Sequence, residues 1–361
     1  MPVRDYKLQS AVSPCTGFPI TAGICMKVTI KDIARKANVS HQAVSMVFAG
    51  EPRISQKTRE RVLQVAREMQ YIPNLAARNL RKGKSNWIGL IVNDISNPFY
   101  GTMAKIAEEA ALEKGYQLII ADTQWNAARE TCAIERMLSF QVRGVLLCST
   151  EQNDVDLLSQ VGSPVVVAVD TCAPDYGGCF VGNDVAAAGR LAATHLLEIG
   201  ARNPLLFTAK KPFDSFSSFT ALKKGFLQVL KKNRLAAGKD RVVHSGLTIE
   251  DGREAFLQRA DSLRDVDAIF CANDMCAVGV MAGASEVGRK VGKDLAVMGI
   301  DDLPFSRVPQ ISLTTLRQPH EEIARMAVQV LIERIEQKVT GLVRQVFLPE
   351  LVIRQSSRLQ V

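Results

Sequence analysis

The chain has 361 residues, an apolar fraction of 47%, a charged fraction of 23% and a formal net charge of +8. That length suits two or three domains, the composition is ordinary for a soluble globular protein, and no apolar run approaches the roughly 18–20 residues that span a bilayer. The eight cysteines form no CxxC pair and bring no His cluster, so they read as reduced, mostly buried thiols of a cytoplasmic protein rather than as a zinc site.

The charge is unevenly spread. Residues 27–86 hold thirteen Lys/Arg against four Asp/Glu, whereas residues 87–361 hold thirty against thirty-two. A compact basic end on a near-neutral body points to nucleic acid.

Residues 1–26 pattern as no element. Arg4 and Lys7 precede an apolar stretch broken by Pro14, Gly17 and Pro19, a poor signal peptide. Met26 stands directly before the first patterned segment, so 1–26 reads as a disordered extension, or residues 1–25 as the product of an upstream start-site assignment.

In "VTIKDIARKANVSHQAVSMVF", Val28 to Phe48, two short apolar patterns of helical spacing flank Asn38-Val39-Ser40. Helices under about 12–15 residues are marginal alone in water, so these two need a shared core. Thr29 and Asp32 form a capping pair. The first helix is expected to bury Ile30, Ile33, Ala34 and Ala37. Ser40 caps the second, which is expected to bury Ala43, Val44 and Val47 and to expose His41, Gln42, Ser45 and Met46. A third helix, capped by Ser55, carries the stripe Val62, Val65, Ala66 and Met69. A helix with a polar outer face fits the major groove of DNA.

From Ile88 short apolar runs alternate with helical stretches: "IGLIV", "YQLIIAD", "VRGVLLCS" and "PVVVAVD", then, after Asp184, "NPLLFTA", "RVVHSG", "AIFCAND" and "LAVMGIDD". Apolar strands between amphipathic helices indicate parallel sheets covered on both faces. The expected fold is an α/β body of two doubly wound parallel-sheet lobes behind an N-terminal all-α helix-turn-helix domain. Polar residues end the strands, where α/β ligands bind: Asp94, Asp122, Asp170, Asn273-Asp274 and Asp301-Asp302. There is no GxGxxG after a first strand and no GxxxxGK[ST], so a nucleotide-phosphate site has no support.

"VTIKDIARKANVS", "AVS", "RISQKTRERV" and "YIPNLAARNL" resemble the DNA-binding domain of LacI/GalR-type bacterial transcription regulators, and "NPFY", "KGYQLIIAD", "VRGVLL", "CANDMCAVG", "VMGIDD" and "LTTLRQP" resemble their periplasmic-binding-protein-like effector domain. The resemblance implies a helix-turn-helix domain at 27–72, a hinge at 73–86 and an effector-binding and dimerisation domain at 87–361. Lobe one would take about 87–183 and 318–345, lobe two about 184–317 and 346–357.

It implies DNA contacts at Thr29, Ile30, Ser40, His41, Gln42, Ser45, Met46, Arg53, Tyr71, Asn74, Ala77 and Leu80. His41, Gln42 and Met46 fall on base-reading positions, and Leu80 on a minor-groove wedge. Met46 replaces a polar residue often found there, so altered readout is expected at that base pair. Effector contacts fall on Phe99, Tyr100, Asp170, Asn273, Asp301 and Gln318.

One departure stands out. Where family members commonly have an Arg before the Gly-Phe pair, "FTALKKGF" has Leu222, so a standard pentose or hexose effector is in doubt; the Phe-rich "KKPFDSFSSF" suggests a less polar ligand.

The expected function is a sequence-specific transcriptional regulator, most often a repressor in this family. A sugar, sugar derivative or, alternatively, a purine-like metabolite would set its affinity for a palindromic operator. The expected partners are double-stranded DNA, the effector and a second copy of the chain. The ending "LVIRQSSRLQV" lacks a leucine heptad, which favours a dimer. Neither cofactor, metal nor membrane is expected, and the setting would be the bacterial cytoplasm and nucleoid. A secreted sugar-transport component would have no use for a basic helix-turn-helix. An α/β enzyme lacks support too, because His195, His244 and His320 are scattered and GxSxG is absent.

Overall fold

The computed structural model describes residues 28–49, 51–71, 85–149, 165–171, 176–211, 213 and 216–359. The chain divides into two units, Met1–Arg81 and Lys82–Val361.

The first unit is a three-helix head: α1 (Ile30–Lys36), α2 (His41–Ala49) and α3 (Gln56–Glu68). The Thr29 side chain accepts from the Asp32 backbone while the Asp32 carboxylate accepts from Thr29, a reciprocal cap. Asn38 takes φ 48°, a left-handed turn that Asn tolerates, and Ser40 Oγ accepts the Ala43 N–H at 3.0 Å. Ile33, Ala34, Ala37, Val44, Val47, Val62, Val65 and Ala66 make the core. Four expectations need correction. Ile30 on α1 is half-buried rather than buried. On α2, Ala43 is only half-buried, and Ser45 and Met46, which had been expected on the open face, are half-buried too. Their helix is short, and its buried stripe narrows to Val44 and Val47.

The second unit holds two six-stranded sheets. The first comprises β1 (Trp87–Val92), β2 (Gln117–Asp122), β3 (Gly144–Leu147), β4 (Val165–Asp170), β5 (Cys179–Asn183) and, much later, β11 (Arg344–Phe347), in the order β11-β5-β4-β3-β1-β2. All its pairings are parallel. Helices α4 (Pro98–Glu113) and α10 (His320–Ile335) cover one face and α5 (Ala127–Ser139) the other.

The second sheet comprises β6 (Pro204–Thr208), β7 (Val242–His244), β8 (Ala268–Cys271), β9 (Ala296–Ile300), β10 (Thr314–Arg317) and β12 (Glu350–Val352), in the order β12-β10-β9-β8-β6-β7. Only β12 runs antiparallel, against β10. Helices α8 (Ile249–Leu257) and α9 (Asp274–Glu286) pack on one face, α6 (Val185–Glu198) and α7 (Ser217–Lys232) on the other.

The chain passes between sheets three times, after β5, after β10 and between β11 and β12. Because β11 pairs with β5 through Phe347↔Asn183, the first sheet extends to residue 347, two residues beyond the expected 345, and the last passage follows it.

Helices α6 and α7 meet backbone to backbone. A Cβ on Gly189 would lie 2.1 Å from the Leu222 carbonyl, and one on Gly225 would lie 2.1 Å from the Ala186 carbonyl. No described helix is long and apolar enough to cross a membrane.

Candidate functional site

In the head, α2 exposes His41 and Gln42 on its first turn, with half-buried Ser45 and Met46 one turn on. A helical repeat places 41 with 45 and 42 with 46 on neighbouring rows of one face. Arg53 is exposed in the loop before α3. Thr29 and Ser40 are exposed but serve as caps, leaving their backbone neighbours fixed for a phosphate. Ile30 and Tyr71 are half-buried supports, and the Tyr71 ring lies 5.5 Å from that of Phe48. Asn74, Ala77 and Leu80 lie outside the described residues, as does most of the expected hinge. Lys31, Arg35, Lys36, Lys57, Arg61 and Arg67 are exposed; Arg35 pairs with Asp32 and Lys36 with Glu68.

In the second unit, a cleft of about 700 Å³ opens at the carboxyl ends of the strands and takes its lining from both sheets. It brings together all six expected effector positions: Phe99, Tyr100, Asp170, Asn273, Asp301 and Gln318. Asn273 mainly shapes the wall, since its Oδ1 caps α9 and its Nδ2 donates to the Leu247 carbonyl.

The polar end is a chain of amides joining two carboxylates. Asn183 Nδ2 donates to Asp170 Oδ1 at 3.3 Å and also to Gln318 Oε1, and Gln318 Nε2 donates to Asp301 Oδ1 at 2.6 Å. Burial pushes the Asp170 carboxyl up to about 7 against the partly opposing Asn183 hydrogen bond. Burial, then the nearby Asp274 charge, pushes Asp301 well above the usual carboxylate range.

The other strand-end acids have structural work. Asp94 and Asp122 hold the turn after β1, accepting from Ser96 and Ile95. Asp274 accepts from Leu303 N–H, Ser306 and Thr315, and burial still lifts it to about 6. Asp302 is buried too, but hydrogen bonds from Arg354 and Arg317 outweigh that burial and keep its carboxyl low. His195 is a buried structural group whose Nε2 meets Ser357 Oγ at 2.9 Å.

Sequence reasoning missed Trp125, Asn183 and Phe219, which also line the cleft. Trp125 packs against Phe213, Phe216, Phe219 and Tyr100 at ring separations of 5.8–6.3 Å. It is one of two tryptophans in the chain and follows β2 by three residues, a signal that was readable. Asn183 had none, because a lone Asn before Asp184 reads as a cap. Leu222 is buried and lines the cleft.

Comparison with known proteins agrees with this geometry. Residues 29–74 match the family "Bacterial regulatory proteins, lacI family", and residues 193–357 match the "Periplasmic binding protein-like domain". The chain is 30% identical over 331 residues to the HTH-type transcriptional repressor CytR of Escherichia coli K12, covering 91% of this chain and 96% of that one. It is 32% identical over 342 residues to the HTH-type transcriptional regulator DegA of Bacillus subtilis, covering 92% and 98%. A LacI-family transcriptional regulator from Silicibacter pomeroyi superposes with a TM-score of 0.81 at 24% identity, over 92% of this chain and 99% of that one, a likeness of fold. The chain belongs to the LacI family of bacterial regulatory proteins: it is a DNA-binding transcriptional repressor with an effector-binding body, and not an enzyme.

Proposed function

We propose that a small-molecule effector, a sugar or sugar derivative, closes the cleft and thereby sets the affinity of a dimer for a palindromic operator. One observation carries this reading: Asn183 and Gln318 stand at two of the three passages between the sheets, line the cleft and hydrogen-bond each other. A ligand that engages these amides acts on the strands about which the sheets reorient. Its differential affinity for the open and closed forms then shifts the population.

At the operator, Gln42 reads adenine bidentately and His41 reads a neighbouring base edge. Met46 packs on an apolar group such as a thymine methyl. Thr29, Ser40, Arg53 and Tyr71 set the docking through the phosphates, with Ile30 and Ser45 beside them. Asn74, Ala77 and Leu80 belong to the segment that enters the minor groove. Two-fold operators mirror two-fold protein symmetry, which requires two copies of the chain.

Gel retardation of promoter fragments tests the reading. A palindromic site should be retained over random duplex, with binding that weakens steeply as salt rises, and a cleft ligand should change that retention. Equal retention of random duplex, with and without small molecules, overturns it.

A further inference from the structure

Asp301 and Asp302 are adjacent, both buried, and differently treated. Asp302 receives Arg307, Arg317 and Arg354. Asp301 receives one amide, from Gln318, and Asp170 likewise receives one, from Asn183. No Lys, Arg or His is among the described residues that line the cleft. Leu222, an apolar side chain, stands on that wall.

The fold therefore has guanidinium groups within reach of this corner and directs them to the neighbouring carboxylate. Among the described residues that line the cleft, its two acids have no counter-charge. A third feature points the same way. Asn183 is 8% exposed, and its Oδ1 is a buried acceptor with no partner among the described residues, while its Nδ2 is committed to Asp170 and Gln318. The unmet capacity of this wall is for donors. The rings of Phe99, Tyr100, Trp125 and Phe219 also line the cleft, faces that attract a cation and cover a ring.

Each ligand charge has a consequence. An anion would meet two buried acids and no Lys, Arg or His among the described residues that line the cleft, the guanidinium of Arg344 lying on the adjoining surface. A neutral polyol can hydrogen-bond both acids in the protonated form that burial favours but gains no ionic contact from them, whereas a cation draws them into the ionised form and pairs with it. A cation with several N–H or O–H donors satisfies both requirements.

We propose that the effector carries an ammonium group, held by Asp170 and Asp301 with a donor to Asn183 Oδ1, and that its ring packs on Trp125 and Phe219. This rests on the reading of the cleft as the effector site and names the class of ligand that the site takes, an aminated sugar or similar ring amine. Tyr100, Cys148, Asp274 and His320 are the other titratable groups near the pair. The first two carry their protons at neutral pH, because burial raises both. Burial keeps His320 neutral, so none of these three supplies a positive charge.

Calorimetry on the full chain tests the proposal with two sets that share a ring and differ in charge, at millimolar concentration: benzylamine, benzyl alcohol and benzoate, then glucosamine, glucose and glucuronate. The ammonium member of each set should bind at least about tenfold tighter than its neutral and anionic counterparts. Asp170→Asn and Asp301→Asn should each reduce that preference, with thermal melts confirming that both variants fold. Equal or tighter binding by the neutral or anionic members overturns the proposal, and so does failure of both ammonium probes to bind. Operator retention by the same preparation is a separate readout. Loss of specific retention, or retention that no bound ligand changes, defeats the regulatory reading and leaves the charge assignment standing.

Discussion

The head and the cleft solve recognition in opposite ways. The head places the groups proposed to read DNA, His41 and Gln42, in solvent side by side on one short helix, above a core of Ile, Val and Ala side chains. The cleft places its groups under the surface and draws them from positions as distant as Phe99 and Gln318. A duplex is a large, strongly charged partner that many weak surface contacts can hold. A metabolite offers few contacts, so each must be made stronger by removing water. The difference predicts that the head tolerates polar change on its face and not in its core, and that the cleft responds above all to charge.

The comparison breaks most completely if the head's core is charged. Val44→Asp places a carboxylate where the side chain is fully buried, at a cost of several kcal/mol in a domain too small to absorb it. All operator retention should disappear, while cleft binding and the main melting transition of the body persist. Loss of both would mean that the two units do not fold independently.

Gly189→Ala should come next. Its methyl would press on the Leu222 carbonyl and the Phe226 amide, costing about 1–3 kcal/mol. The body's melting temperature should fall by several degrees and the head's retention of DNA should be the less affected. An unchanged melt would show that the helices can part freely.

Leu222→Arg sharpens the contrast in charge. A guanidinium on the cleft wall would favour the ionised form of Asp170 and Asp301 and pair with it in place of a ligand. It should abolish the preference for an ammonium ligand and improve binding of neutral or anionic probes; an unaltered calorimetric preference would contradict this.

Asp170→Asn has a smaller signature, read in pH. The folded-state pKa of Asp170 is raised from 3.8 to about 7, so the folded protein holds a proton that the unfolded chain has released. Its contribution to stability is full below pH 3.8 and is lost as pH rises through about 7. The ligand-free body should melt progressively lower across that range, and Asp170→Asn should flatten the decline, with Asp301 supplying the remainder. A steeper decline in the variant would refute the assignment.

The smallest effect belongs to Met46→Ala. Discrimination at one operator base pair should fall by about 1 kcal/mol with the others intact. Equal discrimination everywhere, measured over an operator-variant series, would remove Met46 from base readout.

The head was legible in the sequence because its signals are local. Thr29 with Asp32, Asn38, and Ser40 act over three or four residues, and the apolar stripes repeat at helical spacing. The half-burial of Met46 was not legible, because on a helix this short a residue at the edge of the stripe is covered or exposed by neighbours outside the helix. In the body, the alternation of strands and helices announced the sheets, and the acids at strand ends announced the cleft. What stayed hidden was the division of labour among those acids. Asp301 and Asp302 differ only in what approaches them, and Arg354 reaches Asp302 across 52 positions of chain. Asn183 became meaningful only once Gln318 lay beside it.

The close approach of α6 and α7 restricts how this pocket can be retuned. With Gly189 seated on the Leu222 carbonyl and Gly225 on that of Ala186, the spacing of the two helices is set by main chain and is closed to adjustment. The side chain at 222 is not bound by that restriction. Altered ligand preference, in the laboratory or in nature, is therefore more accessible by exchanging what projects from that wall than by relocating the wall itself.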